Sequence, residues 1–233
     1  MREFYAWIAA NEKEAFLLSI NNQRIPIKYY YISALKIPFS LIEWAIRGVP
    51  GSLGIVLRHI YYGLVCKKLG KGVVIDVGVH MTTPHNISID DYTWIDAFTV
   101  ISAPGEPYSI RRRIHIGCHS QLAGRAAIVL EDYVGLSSSV RLFSGSETPG
   151  AGKRMSGPMV PEQYRKQRVR AVLLKKDAFV GTGSIVLPGI TFGEGAVLGA
   201  NSVAVRNIPA WEIHSGNPAK KIKDRRKVDV PDI

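Results

Sequence analysis

The chain has only two cysteines in 233 residues, Cys66 and Cys118, and they belong to no paired metal or redox motif. That excludes a disulfide-stapled secreted scaffold and agrees with a reducing compartment, where isolated thiols serve as packing residues. An apolar run long enough to cross a bilayer is also missing. The longest, Tyr29 to Ile46, is broken by Lys36, Pro38 and Glu43, whereas a spanning helix needs roughly 20 such residues. The opening MREFYAWIAANEKEAF lacks a short apolar core followed by a small-residue cleavage site, so no secretory signal is expected. Together these absences predict a cytoplasmic protein. Acidic residues are scarce as well, 19 Asp and Glu against 30 Lys and Arg, a net charge of +11. The excess points to an anionic partner: nucleic acid, anionic lipid or a phosphorylated small molecule. Nucleic acid is not expected, because the basic residues sit in loops and a tail without an aromatic-interleaved motif.

What the chain does have is a period of six. From Val180 it divides into VGTGSI, VLPGIT, FGEGAV, LGANSV and AVRNIP, with Val180, Val186, Phe192, Leu198 and Ala204 leading and Ser184, Ala196 and Ser202 at small fifth positions. The same frame reads upstream through Ile116, Leu122, Ile128, Val134 and Val140, with Ser120, Ala126, Ser138 and Ser144 at fifth positions. Earlier still it runs through Ile75, Met81, Ile89, Ile95 and Ile101, with Thr93 and Thr99. A helix cannot hold this pattern: at about 100° per residue, leaders six apart drift around the axis. A flat strand would turn positions three and five inward together with position one. A triangular coil fits, each hexad forming one short face, the leading aliphatic stacked inside and the small residue and glycine allowing the corner. A sandwich would instead alternate with period two and turn every 8–12 residues.

On these hexads, from about Leu69 to Lys223, the sequence resembles the hexapeptide-repeat acyltransferase family. The segment VGTGSIVLPGITFGEGAVLGANSVAVRNIPAWEIHSGNPAKKIK is the most specific part, similar to that family's closing coils and terminal NPAK element. The resemblance implies a mainly β fold, a left-handed parallel β-helix, working as a homotrimer with acetyl-CoA as donor. It also implies a sugar or sugar-nucleotide acceptor in surface-polysaccharide biosynthesis.

Residues 1–68 carry no hexads and read as a helical cap over the open end of the first coil, which a solenoid must cover. The face expected to pack there is Leu53, Val56, Leu57, Ile60, Tyr61 and Leu64, at helical spacings. Tyr29, Tyr30, Tyr31, Lys28 and Lys36 offer the alternative of contact with a membrane surface, at its inner face. The β-helix over 69–223 is broken by insertions at 104–113, ending in Arg111–Arg113, and at 145–171, and a basic tail follows at 224–233. Within the resemblance, the second insertion reaches a neighbouring subunit and walls the active site, so the acceptor pocket is expected between that loop and the first insertion of another chain.

For the donor, the resemblance places the pantetheine groove along Gly181, Thr182, Gly199 and Ala200. Arg206, Lys220 and Lys223 are the expected phosphate contacts, ahead of Lys221, Arg225, Arg226 and Lys227, whose alternative is a solvated tail. Acyl transfer to a hydroxyl needs a base. The family generally uses a histidine, often in the segment matching Ser144-Gly145-Ser146-Glu147-Thr148, where this chain has none. Glu147 and His119 are therefore the candidate bases, and N- versus O-acetylation stays open. Of the other histidines, His59 and His214 read as structural, His80 and His85 lie far from the donor end, and His115 pairs by spacing with His119. No metal is expected. A carbonic-anhydrase-like zinc site would need three histidines, with His115, His119 and one of His80 or His85 as the set to test. A non-catalytic scaffold is the remaining alternative.

Overall fold

The computed structural model describes residues 1–232. Four helices, α1 (Arg2–Ile20), α2 (Ile27–Ala34), α3 (Ile37–Arg47) and α4 (Gly51–Val65), precede a solenoid of two- and three-residue parallel strands distributed over three faces. Each face carries one ladder of stacked aliphatics. The first runs Leu69, Ile89, Ile110, Leu130, Leu174, Phe192. The second runs Ile75, Ile95, Ile116, Leu136, Val180, Leu198. The third runs Met81, Ile101, Leu122, Leu142, Val186, Ala204. All but Leu69 are buried, so burial of stacked leaders holds the coils together.

The small fifth positions have a second reason. Thr93, Thr99, Ser120 and Ser184 are buried and donate their hydroxyls to the carbonyls of Arg111, Gly117, Ser137 and Gly199 in the next coil. A buried hydroxyl must be paired, and the corner above supplies the acceptor.

The expected frame slips after Leu122. Ile128, Val134 and Val140, expected to lead, are buried, but the residues that stack on Ile110, Ile116 and Leu122 are Leu130, Leu136 and Leu142, two positions later. From Leu122 to Leu130 the chain takes eight positions rather than six, as it does from Met81 to Ile89, and it passes through Gly124, whose φ is +141°; a Cβ there would lie 2.6 Å from the Gly145 backbone nitrogen. Ser138 consequently turns partly outward.

The stretch 104–113 is less of an insertion than the sequence suggests. It contains a regular first-face strand, Tyr108–Ile110, and Arg113 is an ordinary corner with φ 57°. The excess lies before Tyr108. The stretch 145–171 does leave the coil, as an antiparallel pair Gly145–Glu147 with Gln167–Val169 enclosing two short 3₁₀ turns, and Arg125 Nη1 pins it through Glu162 at 2.8 Å.

The cap forms, but on a different face of α4. Gly54, Arg58, Tyr61, Tyr62 and Val65 are buried, while Leu53, Val56, Ile60 and Leu64 are exposed. Arg58 explains the choice. It donates from Nε to the Ile75 carbonyl at 2.8 Å and from Nη1 to the carbonyls of Ile46 and Val49 at 3.0 and 2.7 Å, tying α3, α4 and the first coil. A helix apolar all round gives spacing no means of selecting its inner side.

Candidate active site

The edge between the second and third faces is built from corner residues held at positive φ. Phe98, His119, Ser139, Gly183 and Asn201 stack there with φ between 51° and 71°. Each corner amide is bonded to the coil before it: His119 to Ala97, Ser139 to Cys118, Gly183 to Ser138 and Asn201 to Thr182. Four of the donor-groove candidates lie on this edge. Gly181 donates its N–H to the Leu198 carbonyl and Gly199 to that of His214, both at 2.8 Å. A Cβ on Gly181 would fall 2.5 Å from the Ala200 nitrogen, and one on Gly199 would fall 2.7 Å from Ser215 Oγ, so both positions require glycine. Thr182 and Ala200 are exposed beside them. Thr182 Oγ1 meets Ser137 Oγ at 2.6 Å, a partner that the hexad frame hid because Ser137 sits beyond the frame slip.

His119 is on the same edge, three coils before Asn201, or roughly 14 Å at the usual strand spacing. It is exposed, and its ring stacks on Phe98 with centroids 5.3 Å apart and planes 6° from parallel. The edge is thus a strip of small residues with a histidine at one end. At the other end, the strand Lys220–Asp224 pairs antiparallel with Glu212–Ser215, placing Lys220 opposite Ser215. Lys220 and Lys223 are exposed and make no side-chain bond among the described residues. Two other basic candidates are already committed: Lys221 pairs with Glu212 and Asp224, and Arg225 donates to the carbonyls of Asp177 and Gly195. Arg206 is exposed but follows the third face towards another edge, so within one chain it does not join the strip.

Glu147 lies on that other edge, where the loop leaves the coil. Its Oε1 accepts from Gln167 Nε2 at 3.0 Å and is 3.7 Å from Arg165 Nη1. Glu147 Oε2 and Arg165 Nε are buried without a partner. This is an arrangement one hydrogen bond short of complete on each side, and such buried groups are costly unless a ligand completes them. Arg165 and Gln167 were legible in sequence only as part of a basic loop; the hairpin register puts Gln167 opposite Glu147. Within one chain, face three separates Glu147 from His119, so the two candidate bases do not meet.

The loop also forms one wall of a groove of about 1320 Å³ whose opposite wall is α1 and α3 and whose floor includes His80 to Asn86 and Pro104 to Glu106. The two insertions therefore line one groove in the same chain. His80 Nδ1 lies 2.9 Å from Glu43 Oε1 and 3.1 Å from Arg47 Nη1. His85 Nδ1 is buried without a partner, and burial, with Lys36 nearby, pushes the His85 pKa below its ordinary value. Neither Glu147 nor His119 lines this groove.

The zinc alternative finds no donor set. His115 Nε2 is taken by Asp96 at 2.9 Å, His214 by Glu212 at 2.8 Å, and no three His, Cys, Asp or Glu side chains among the described residues gather as metal ligands.

No family model matches the sequence. Among curated proteins, the dTDP-4-amino-4,6-dideoxy-D-glucose acyltransferase of Escherichia coli is 36% identical over 161 residues, covering 69% of this chain and 83% of that protein. WcaF of Escherichia coli K12, named for acetyl transfer in colanic acid biosynthesis, is 27% identical over 158 residues, covering 68% and 69%. Among solved structures, the N-acyltransferase AntD of Bacillus cereus, in complex with dTDP-4-amino-4,6-dideoxyglucose and coenzyme A, superposes with a TM-score of 0.69 at 28% identity, over 73% of this chain and 90% of that one. More than a third of aligned positions in common with a sugar acyltransferase, over 83% of that protein, together with the three-faced solenoid of stacked hexads, make this chain a member of the hexapeptide-repeat acyltransferases, built on a left-handed parallel β-helix.

Proposed function

We propose that the chain transfers an acetyl group from acetyl-CoA to a sugar or sugar nucleotide in surface-polysaccharide biosynthesis, working as a homotrimer in the cytoplasm at the inner face of the membrane. The observation that carries this is the edge between the second and third faces, a strip of Gly181, Thr182, Gly199 and Ala200 with Lys220 and Lys223, unpaired among the described residues, at its end. Small side chains let an extended amide-bearing arm approach backbone closely, and two free ammonium groups suit the phosphates beyond it. A strip exposed on one chain becomes a groove when a second solenoid lies beside it. That arrangement supplies the reason for a trimer, and lets the loop of one chain bring Glu147 to the edge of another.

In the reaction, the acceptor amine or hydroxyl attacks the thioester carbonyl. The new C–N or C–O bond forms, the C–S bond breaks, and CoA leaves as its thiol. The acceptor's proton passes to a base, Glu147 or His119, and from it to the departing sulfur. An amine acceptor, as the Escherichia coli relative's name and the AntD complex indicate for those proteins, asks less of that base than a hydroxyl. The missing loop histidine and the presence of Glu147 favour the amine. Titration calorimetry with acetyl-CoA, followed by thiol release in the presence of dTDP-4-amino-4,6-dideoxyglucose, tests both halves. Binding and turnover are expected; a folded protein with affinity for neither acetyl-CoA nor free CoA would overturn the donor reading and favour the non-catalytic scaffold.

A further inference from the structure

Because α4 closes the mouth of the solenoid, the side of the helix opposite Gly54, Arg58, Tyr62 and Val65 faces away from the coil along the solenoid end. That outer side is Leu53, Val56, Ile60 and Leu64, each at least half exposed. The one charged residue of α4, Arg58, is turned inward. The neighbouring helices carry exposed aromatics as well, Tyr30 at 62% on α2 and Trp44 at 70% on α3, where Trp44 also borders the groove. Of the chain's 28 exposed large hydrophobics among the described residues, 16 fall within the first 64 positions, so the apolar surface is concentrated at this end rather than scattered.

The charge pattern identifies what covers it. Residues 1–75 hold ten Lys and Arg against four Glu; Lys36 is paired with Glu12 and Lys68 with Asp90, Arg58 is buried, and Arg24, Lys28, Lys67 and Lys71 are exposed without a carboxylate partner among the described residues, while Glu43 is turned inward to His80 and Tyr62. Apolar helix faces with exposed Trp and Tyr and a cationic border suit the headgroup layer of an anionic bilayer. No helix among the described residues is long and apolar enough to cross a membrane, which leaves attachment in the plane of the surface. A second copy of the same face is a poorer occupant, because pairing it with itself would set one cation-rich border against another.

We infer that the end face formed by α4 and the helices beside it docks this protein on an anionic membrane surface. In a trimer with parallel solenoid axes, three such faces point the same way and bind with avidity. That avidity rests on the trimer proposed above, whereas the docking of each face does not.

The full chain is tested by sedimentation with phosphatidylcholine vesicles with and without phosphatidylglycerol. It is expected to bind the mixed vesicles, less so as salt rises, and to bind pure phosphatidylcholine at least about tenfold more weakly. Val56→Glu with Ile60→Glu, on exposed positions that leave the inward contacts intact, should lower binding by about tenfold or more. Lys28→Glu should lower it several-fold, with acetyl-CoA affinity unchanged in both. Equal binding to neutral and anionic vesicles, or wild-type binding by the double variant, overturns the proposal. So does a higher oligomer that Ile60→Glu dissolves while vesicles stay unbound, which would assign the face to a second copy. Vesicle binding by a chain with no acetyl-CoA affinity would sink the donor reading and leave the docking standing.

Discussion

Replacing Glu147 by glutamine separates a chemical role from a structural one, because the two have different magnitudes here. The substitution keeps the side chain's size and leaves an amide oxygen to accept from Gln167 Nε2, which now bonds Oε1 at 3.0 Å. It removes the charge facing Arg165, a side chain only 7% exposed whose Nε already has no partner. Removing one member of a well-bonded buried pair costs about 3–5 kcal/mol. At 3.7 Å this contact is longer than a hydrogen bond and Glu147 keeps 17% exposure, so the cost should be nearer the about 1–3 kcal/mol of an unsatisfied buried group. For a chain of this size that is a fall in Tm of about 2–4 °C per kcal/mol, with the protein still folded at 25 °C. Loss of a general base costs about 10²–10⁴ in turnover, or about 3–5 kcal/mol of barrier. Calorimetry should show unchanged acetyl-CoA affinity, melting a modest shift, and thiol release with an amino-sugar nucleotide a collapse of kcat. Arg165→Met is the companion: it should match the thermal shift while sparing more of the turnover. If Glu147→Gln keeps wild-type kcat and His119→Ala loses it, histidine carries the proton and the assignment to Glu147 is wrong. If both keep it, neither is the base, and the amine acceptor loses its proton without help from either side chain.

Light scattering should give a mass near three times 25.7 kDa, and a fully active monomer would sink a site shared between chains. Lys220→Ala with Lys223→Ala should weaken acetyl-CoA binding, more at low salt than at high; unchanged affinity would reduce these lysines to solvated residues. In native protein only Cys118 should react with a thiol reagent at pH 8, since burial pushes the Cys66 thiol up to about 12, and fast modification of both thiols would show that the cap over the first coil opens readily.

The solenoid was readable because its two signals, an aliphatic every six residues and a small residue two before it, come from separate physical demands: stacking inside and a corner that must turn. The same redundancy caused a misreading. In the coil from Ile128 to Leu142 both inward positions are aliphatic, so either could lead, and only the register against Ile116 and Leu122 decides for Leu136 and Leu142. Tyr108–Ile110 was hidden for a related reason, since three extra residues between Ile101 and Ile110, nine positions apart where the repeat takes six, displaced it from the frame. On α4 the apolar spacing was real, but buried Arg58 chose the opposite side by bonding three backbone carbonyls, a choice that hydropathy ranks backwards.

The site was readable where it depends on backbone and unreadable where it depends on loops. Gly181 and Gly199 could be placed because a glycine in a coil corner has a steric reason tied to the repeat, and both prove to have no room for a Cβ. Glu147 and His119 have no such anchor. One is positioned by a hairpin whose register no periodicity announces, the other by a stacking contact with Phe98 one coil away. The geometry nevertheless separates them in kind. His119 is exposed on the donor edge with its ring already packed against a neighbour, whereas Glu147 lies behind the groove wall formed by Arg165 and Gln167, with a buried, unused carboxylate oxygen. A group that must accept a proton from an arriving acceptor needs a free lone pair within reach; the unbonded Glu147 Oε2 is buried in the single chain, so its use as a base requires the acceptor or a neighbouring chain to displace the wall in front of it.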